Sequence, residues 1–74
     1  MDIGAELRRA RVSRHLAIED VARVTKISPS VLRAIEQNEF GSVPGGLFTR
    51  GFLRSYAREV GLDAEAIVQL YRAE

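Results

Sequence analysis

Seventy-four residues make room for one domain with one core, and 46% hydrophobic with 28% charged residues excludes a disordered tail. The chain has no cysteine, which excludes a disulfide framework and a thiolate metal site and suits a reducing cytoplasm. Eleven basic against ten acidic residues leave a net charge of +1, so the basic excess of a dedicated nucleic-acid binder is missing and any basic surface must come from local clustering.

The apolar spacing predicts an all-α fold of five helices, with no strand and no repeat. The first helix runs from about Ile3 to Arg14, with Ile3, Leu7 and Ala10 on one face, and Leu16 closes the core at the next turn. A short second helix, about Ile18 to Thr25, turns Ile18, Val21 and Thr25 inward, and Ile27 sits in the turn that follows. The third helix has the clearest start. Ser28 can accept a bond from the free amides of the first turn, and Pro29 takes the first helical position, where its missing donor costs nothing. Val31, Leu32 and Ile35 form its inner face, Asn38 suits a left-handed stop, and Phe40 and Val43 anchor the connection to the core.

Pro44-Gly45-Gly46 is the strongest break in the chain. A fourth helix is expected from about Leu47 to Val60, ended by Gly61. Asp63 then caps a fifth, whose Ala64, Ile67, Leu70 and Tyr71 face inward. Residues 1–74 thus read as one domain, a helix-turn-helix core over about 3–37 with two further helices over about 47–72. No apolar run approaches the ~20 residues of a membrane-spanning helix and no signal peptide is visible, so any membrane anchor is expected outside this chain.

Three stretches, Ile3-Gly4-Ala5-Glu6-Leu7-Arg8-Arg9-Ala10-Arg11, Ile18-Glu19-Asp20-Val21-Ala22 and Val31-Leu32-Arg33-Ala34-Ile35-Glu36, resemble the phage-repressor type of helix-turn-helix. That pattern says little about a partner. More specific is Phe48-Thr49-Arg50-Gly51-Phe52-Leu53-Arg54-Ser55-Tyr56-Ala57, preceded by Val43-Pro44 and followed by Gly61-Leu62-Asp63. It resembles the fourth-helix signature of the RodZ family of bacterial cell-shape proteins, and the similarity covers almost the whole chain.

The resemblance implies a cytoplasmic binding module, without cofactor, that docks on MreB, the actin-like filament protein of the elongation machinery. In full-length members a membrane-spanning helix and a periplasmic part follow. The family's filament contact uses two aromatic residues four apart on the fourth helix, which match Phe48 and Phe52 here. Relatives often carry Tyr at the second position, so Phe52 lacks that hydroxyl. Ala17 stands where relatives carry a Ser or Thr cap, which costs the second helix ~1 kcal/mol. His15 occupies a turn position that often holds Gly, implying local strain or a different turn.

The fourth helix can be read without the resemblance. With Phe48 as origin and 100° per residue, Phe52 lies near ~40°, Tyr56 ~80°, Val60 ~120°, Leu53 ~140° and Ala57 ~180°. This apolar arc of ~140° or more exceeds the ~100° stripe that one core needs. Tyr56, Leu53, Val60 and Ala57 suit a core, Tyr56 with a polar tip, and Phe48 and Phe52 lie on the near edge. Spacing alone favours burial of the entire arc under the fifth helix; the resemblance assigns Phe48 and Phe52 to a partner. Arg50 is read either as a flank of that patch, pairing with acidic filament residues, or as a solvated charge. Gly51, at a propensity cost of ~1 kcal/mol inside a helix, suggests the close approach of another backbone.

DNA binding of the phage-repressor type is the alternative. Ser28, Ser30, Val31 and Arg33 would enter the major groove, with Arg8, Arg9, Arg14, Arg23 and Lys26 meeting phosphates. Glu19 and Asp20 in the first turn of the second helix favour its dipole but repel a phosphate backbone, and the expected reading face lacks Gln or Asn and offers Pro29 and Val31 instead. Arg11 is expected to pair with Glu36 across the first and third helices, leaving Arg8 and Arg9 solvated or near acidic lipid headgroups.

Catalysis finds no support in the residues. His15 is the only histidine, and Ser13, Ser28, Ser30, Ser42 and Ser55 lack a base and its orienting partner. No HExxH or phosphate-loop pattern occurs, and the glycines between Gly41 and Gly46 have no following lysine.

Overall fold

A computed structural model describes residues 2–43 and 46–73, with backbone alone for Gly46 and Leu47. Pro44 and Gly45, the expected break, lie outside the described residues. Five helices follow one another: α1 (Ile3–Ser13), α2 (Ile18–Thr25), α3 (Pro29–Glu36), α4 (Gly46–Glu59) and α5 (Ala64–Ala73). A single 3-10 turn, Phe40–Ser42, stands between α3 and α4. No strand occurs among the described residues. The fold is all-α. Boundaries differ slightly from expectation: α1 stops at Ser13 and not Arg14, and α4 runs from Gly46 to Glu59 and not from Leu47 to Val60.

Each helix end has an identifiable cause. Asp2 caps α1 by accepting the Ala5 amide at 2.8 Å, and that bond holds its carboxyl below the usual carboxylate range. At α2 the missing Ser or Thr is partly made good. The Asp20 carboxylate accepts the Ala17 amide at 2.8 Å, supplying the second half of a capping box. Ser28 accepts the Ser30 amide at 3.2 Å and Pro29 opens α3. Asp63 accepts the Ala66 amide at 3.1 Å at the start of α5.

Three helices stop by one device, in which two amides beyond the helix return to its last turn. After α1, His15 and Leu16 donate to Val12 and Arg11; after α3, Asn38 and Glu39 donate to Ile35 and Ala34. After α4, Gly61 and Leu62 donate to Arg58 and Ala57. The device needs a left-handed residue, supplied by His15 (φ 58°), Asn38 (φ 61°) and Gly61 (φ 80°). Lys26 (φ 63°) ends α2 in the same conformation. The different turn at His15 is thus a left-handed stop occupied by a residue with a Cβ.

The core gathers Ile3 and Leu7 of α1, Ile18 and Val21 of α2, and Leu32, Ala34 and Ile35 of α3. Leu53, Tyr56, Ala57 and Val60 of α4, Ile67 and Val68 of α5, and the connectors Ile27 and Val43 complete it. Val68 is sealed although the inward face of α5 was expected at Ala64, Ile67, Leu70 and Tyr71. Of these, Ala64, Leu70 and Tyr71 are half-buried, and Phe40 packs edge-on to Tyr71 at 5.2 Å between centroids. Val31 and Leu16 also pack on the core while remaining half-buried.

Two features set how α1 crosses α3. A Cβ on Gly4 would lie 2.3 Å from the Glu36 carbonyl oxygen and 2.6 Å from that of Ile35, so only glycine permits this approach. The Gly4 amide donates to Asn38 Oδ1 at 2.9 Å, and Asn38 Nδ2 donates to Asp2 at 2.7 Å. One asparagine therefore both stops α3 and clasps the start of α1.

Candidate functional site

Burial along α4 is graded across its apolar arc, not complete as spacing alone favoured. Thr49, Leu53, Tyr56, Ala57 and Val60, which occupy ~80° to ~180° of the wheel, are buried. Phe52, at ~40°, is half-buried against the core, and Phe48, at the origin, is 62% exposed. The two rings stand 6.4 Å apart between centroids with a 30° tilt, forming one aromatic step along the helix. Thr49 has no apolar side chain to mark it as an inward residue, although ~100° on the same wheel places it mid-arc. Its hydroxyl has no hydrogen-bond partner among the described residues.

Arg50 is not brought to the aromatic pair. It lies ~200° from Phe48 on the wheel, is half-buried, and forms no ion pair among the described residues. The expectation that it flanks the patch fails on this geometry, because opposite sides of one helix cannot share a small footprint. Its neighbour along that side, Arg54, donates to Glu65 of α5 at 2.8 Å, which ties α4 to α5 and leaves the phenyl side uncovered. At Gly51 no heavy atom of another element comes within 4 Å of the position a Cβ would take, so among the described residues no backbone of this domain makes the close approach.

The rotation of α4 is held from beneath by Tyr56. Its hydroxyl donates to the Glu36 carboxylate of α3, which also receives Arg11 of α1 at 2.7 and 3.1 Å, as expected for that pair. Arg11 donates a further bond to the Leu16 carbonyl at 2.8 Å. Burial, then the bond to Glu36, pushes the Tyr56 hydroxyl well above its ordinary 10.0, so it stays protonated and donating at neutral pH. The Arg11 and Glu36 side chains are 13% and 8% exposed. Losing one partner of such a pair costs about 3–5 kcal/mol, so the joint between α1, α3 and α4 is stiff. Phe52 lies one turn before Tyr56, and the aromatic step inherits that stiffness.

The would-be DNA-reading residues are placed less favourably. Ser28 and Ser30 are exposed but bonded to each other, hydroxyl to hydroxyl at 2.8 Å. Val31 turns half inward. Arg33 donates to Glu19 of α2 at 2.9 Å, so the one cation of this face is shared with an anion. Arg23 is likewise paired with Asp20 at 2.6 Å and Arg9 with Glu6. Arg8 and Lys26 are exposed and form no ion pair among the described residues. Among those residues, no three His, Asp or Glu side chains converge as metal ligands would.

A family model described as a helix-turn-helix domain matches residues 6–67. The chain belongs to this helix-turn-helix family. The domain is 35% identical over 69 residues to the cytoskeleton protein RodZ of Streptococcus pneumoniae, covering 93% of this chain and 25% of that protein. It is 30% identical over 59 residues to the uncharacterised membrane protein YmfM of Bacillus subtilis, covering 80% of this chain and 20% of that protein. The helix-turn-helix domain therefore spans about a quarter or less of the length of these relatives. Its backbone also superimposes on the solved YmfM protein of Staphylococcus aureus, described as a candidate DNA-binding membrane protein. There the TM-score is 0.92 at 26% identity, covering 99% of this chain and 89% of that one. No helix among the described residues of the helix-turn-helix domain is long and apolar enough to cross a membrane.

Proposed function

We propose that this helix-turn-helix domain docks, through Phe48 and Phe52, on the actin-like filament protein MreB, as the cytoplasmic part of a membrane-tethered cell-shape protein. The observation that carries the reading is the 62% exposure of Phe48 beside half-buried Phe52, on a helix where Leu53, Tyr56 and Ala57 are sealed. A large exposed ring is unhelpful to a lone domain and valuable in an interface, where aromatic anchors carry about 2 kcal/mol or more each. Likeness to a cytoskeleton protein supports the choice of partner. A stiff mount supports it too, since pre-ordered side chains lose little entropy on binding.

The test is co-sedimentation of the domain with polymerised MreB. The double variant Phe48→Ala, Phe52→Ala is expected to lose binding while its far-ultraviolet helical signal survives. Unfolding of the variant, or undiminished binding, counts against the reading.

DNA binding is kept as a second reading because of the description given to the Staphylococcus aureus neighbour. Glu19 held against Arg33, with Asp20 beside it, weakens the electrostatic term that phosphate contacts supply. Titration with random duplex across a salt series decides it. Steeply salt-dependent association at micromolar protein supports DNA binding; none down to low salt removes it.

A further inference from the structure

Besides Phe48, two large apolar side chains are exposed among the described residues, Val12 of α1 at 49% and Val24 of α2 at 58%. Their surroundings differ in charge. With Val12 as origin, Ala5 lies near ~20°, Arg8 near ~320° and Arg9 near ~60°, while the sealed Ile3 and Leu7 lie near ~180° and ~220°. Val12 thus stands in the middle of the face turned away from the core, one turn after two arginines. Val24 instead follows Asp20 by one turn, and Asp20 holds Arg23 at 2.6 Å. Ala5, Arg8, Arg9, Val12 and Ser13, together with Glu36, line a shallow depression of about 420 Å³. The Glu36 carboxylate is already taken by Arg11 and Tyr56. Of the acids along α1, Asp2 is bonded to the Ala5 amide and Asn38, and Glu6 to Arg9. Arg8 is left as the uncompensated cation of this face.

We infer that the outer face of α1 rests on a membrane surface rich in anionic phospholipid, with Val12 entering the boundary beneath the headgroups and Arg8 and Arg9 meeting lipid phosphates. The inference rests on the membrane-tethered reading above and adds which side of the domain faces the bilayer. An apolar tip between two guanidinium groups suits that boundary. Arginine stems cover apolar surface while their charged heads stay at the wet level of the phosphates. A nucleic-acid duplex supplies phosphates without an apolar layer and leaves Val12 in water. Beside an anionic leaflet each cation strengthens association about fivefold. One free and one shared arginine therefore hold only a domain already confined near the bilayer, and a tether supplies that confinement. α1 packs on α3 and α5, and α4 packs on α2 and α5, so this face and the phenyl step belong to different helices.

The chain has no cysteine, so Val12→Cys and Val24→Cys each take a single environment-sensitive fluorophore. Each labelled domain is held on vesicles by a C-terminal histidine tag and a nickel-chelating lipid. The vesicles are phosphatidylcholine, with or without phosphatidylglycerol. The label at position 12 is expected to shift to the blue and at least double its emission on the anionic vesicles alone. The label at position 24 should respond on neither. Arg8→Glu with Arg9→Glu should return position 12 to its signal on neutral vesicles, and a thermal melt checks that this variant folds. Salt at about 0.5 M should do the same to the unaltered arginines, which keeps the test independent of that variant. Equal signals on the two lipid compositions, or equal responses at the two positions, overturn the inference. So does full displacement by micromolar random duplex DNA, which would make this a nucleic-acid surface. No filament protein is present, so failure here leaves docking through Phe48 and Phe52 standing, and failure of that docking leaves this result standing.

Discussion

His15 illustrates how a single residue can be poorly matched to a well-made device. Its amide donates to Val12 at 2.9 Å in the stop of α1, but its φ of 58° costs a residue with a Cβ ~1–2 kcal/mol. Its side chain is exposed. His15→Gly is therefore expected to raise stability by about 0.5–1 kcal/mol after the extra freedom of glycine in the unfolded chain is subtracted. Differential scanning calorimetry should show a rise of roughly 3–6 °C in a domain of this size. Tyr56 gives a pH-dependent counterpart. Its hydroxyl is raised above 10.0 in the folded state, so its contribution is fully present below pH 10.0 and is lost as pH climbs toward the folded value. Urea midpoints should fall above pH 10.0 in wild type. Tyr56→Phe should start from a lower midpoint at neutral pH and show a shallower fall. Equal slopes in the two proteins would detach the hydroxyl from stability.

Among elements, α1 and α3 are the pair most sensitive to small changes. Gly4→Ala gains helix propensity of ~1 kcal/mol but places a methyl against two carbonyl oxygens that belong to a helix backbone and cannot swing away. The helices must part, at a cost of about 1–3 kcal/mol or more, so a net loss near ~2 kcal/mol is expected. A melt lowered by roughly 10 °C is the check, and an unchanged melt would show that α1 can slide. Gly51→Ala, whose methyl meets no described heavy atom within 4 Å, is expected to melt at or above wild type, which separates two glycines that look alike in the sequence. Their difference lay in what faces them, and no spacing rule reports that. Helix starts were legible because the capping signal is local: Ser28-Pro29 and Asp63 are read from two or three residues. Stops were legible only where the residue advertises its conformation, as Asn38 and Gly61 do, and not at Lys26, where the fold imposes it.

For the molecule as a whole, the helix order and the inward faces followed from periodicity, because five amphipathic segments joined by short turns have few ways to bury their stripes. Arg11 against Glu36 was legible from the resemblance to a known fold, but the third member, Tyr56, was not, since its reach to α3 depends on the angle of α4. The aromatic edge was half legible. The wheel located Phe48 and Phe52 at the margin of the arc, yet their different exposure depends on where α5 lies once Ile67 and Val68 are in the core. Arg50 was read either as a flank of the phenyl pair or as a solvated charge, and its place ~200° from Phe48 on the same wheel goes against the first. Exposed ion pairs such as Arg33 with Glu19 and Arg54 with Glu65 contribute little to stability at ordinary salt. The cohesion of the domain therefore rests on its apolar core and on the joint around Glu36.

That joint bears on how the molecule breathes. Were α4 to swing away alone, the Glu36–Arg11 pair would lose the tyrosine that covers it and take up water, so α3 and α4 gain by opening together. Deuterium should enter the amides of Ile35, Tyr56 and Ala57 as one slow group, at the pace of complete unfolding, while those near Arg72 label in the earliest fraction. Cutting the link with Tyr56→Phe should split that group, releasing α4 to label first. In wild type, the helix that carries the outward rings would be as slow to loosen as the interior it rests on.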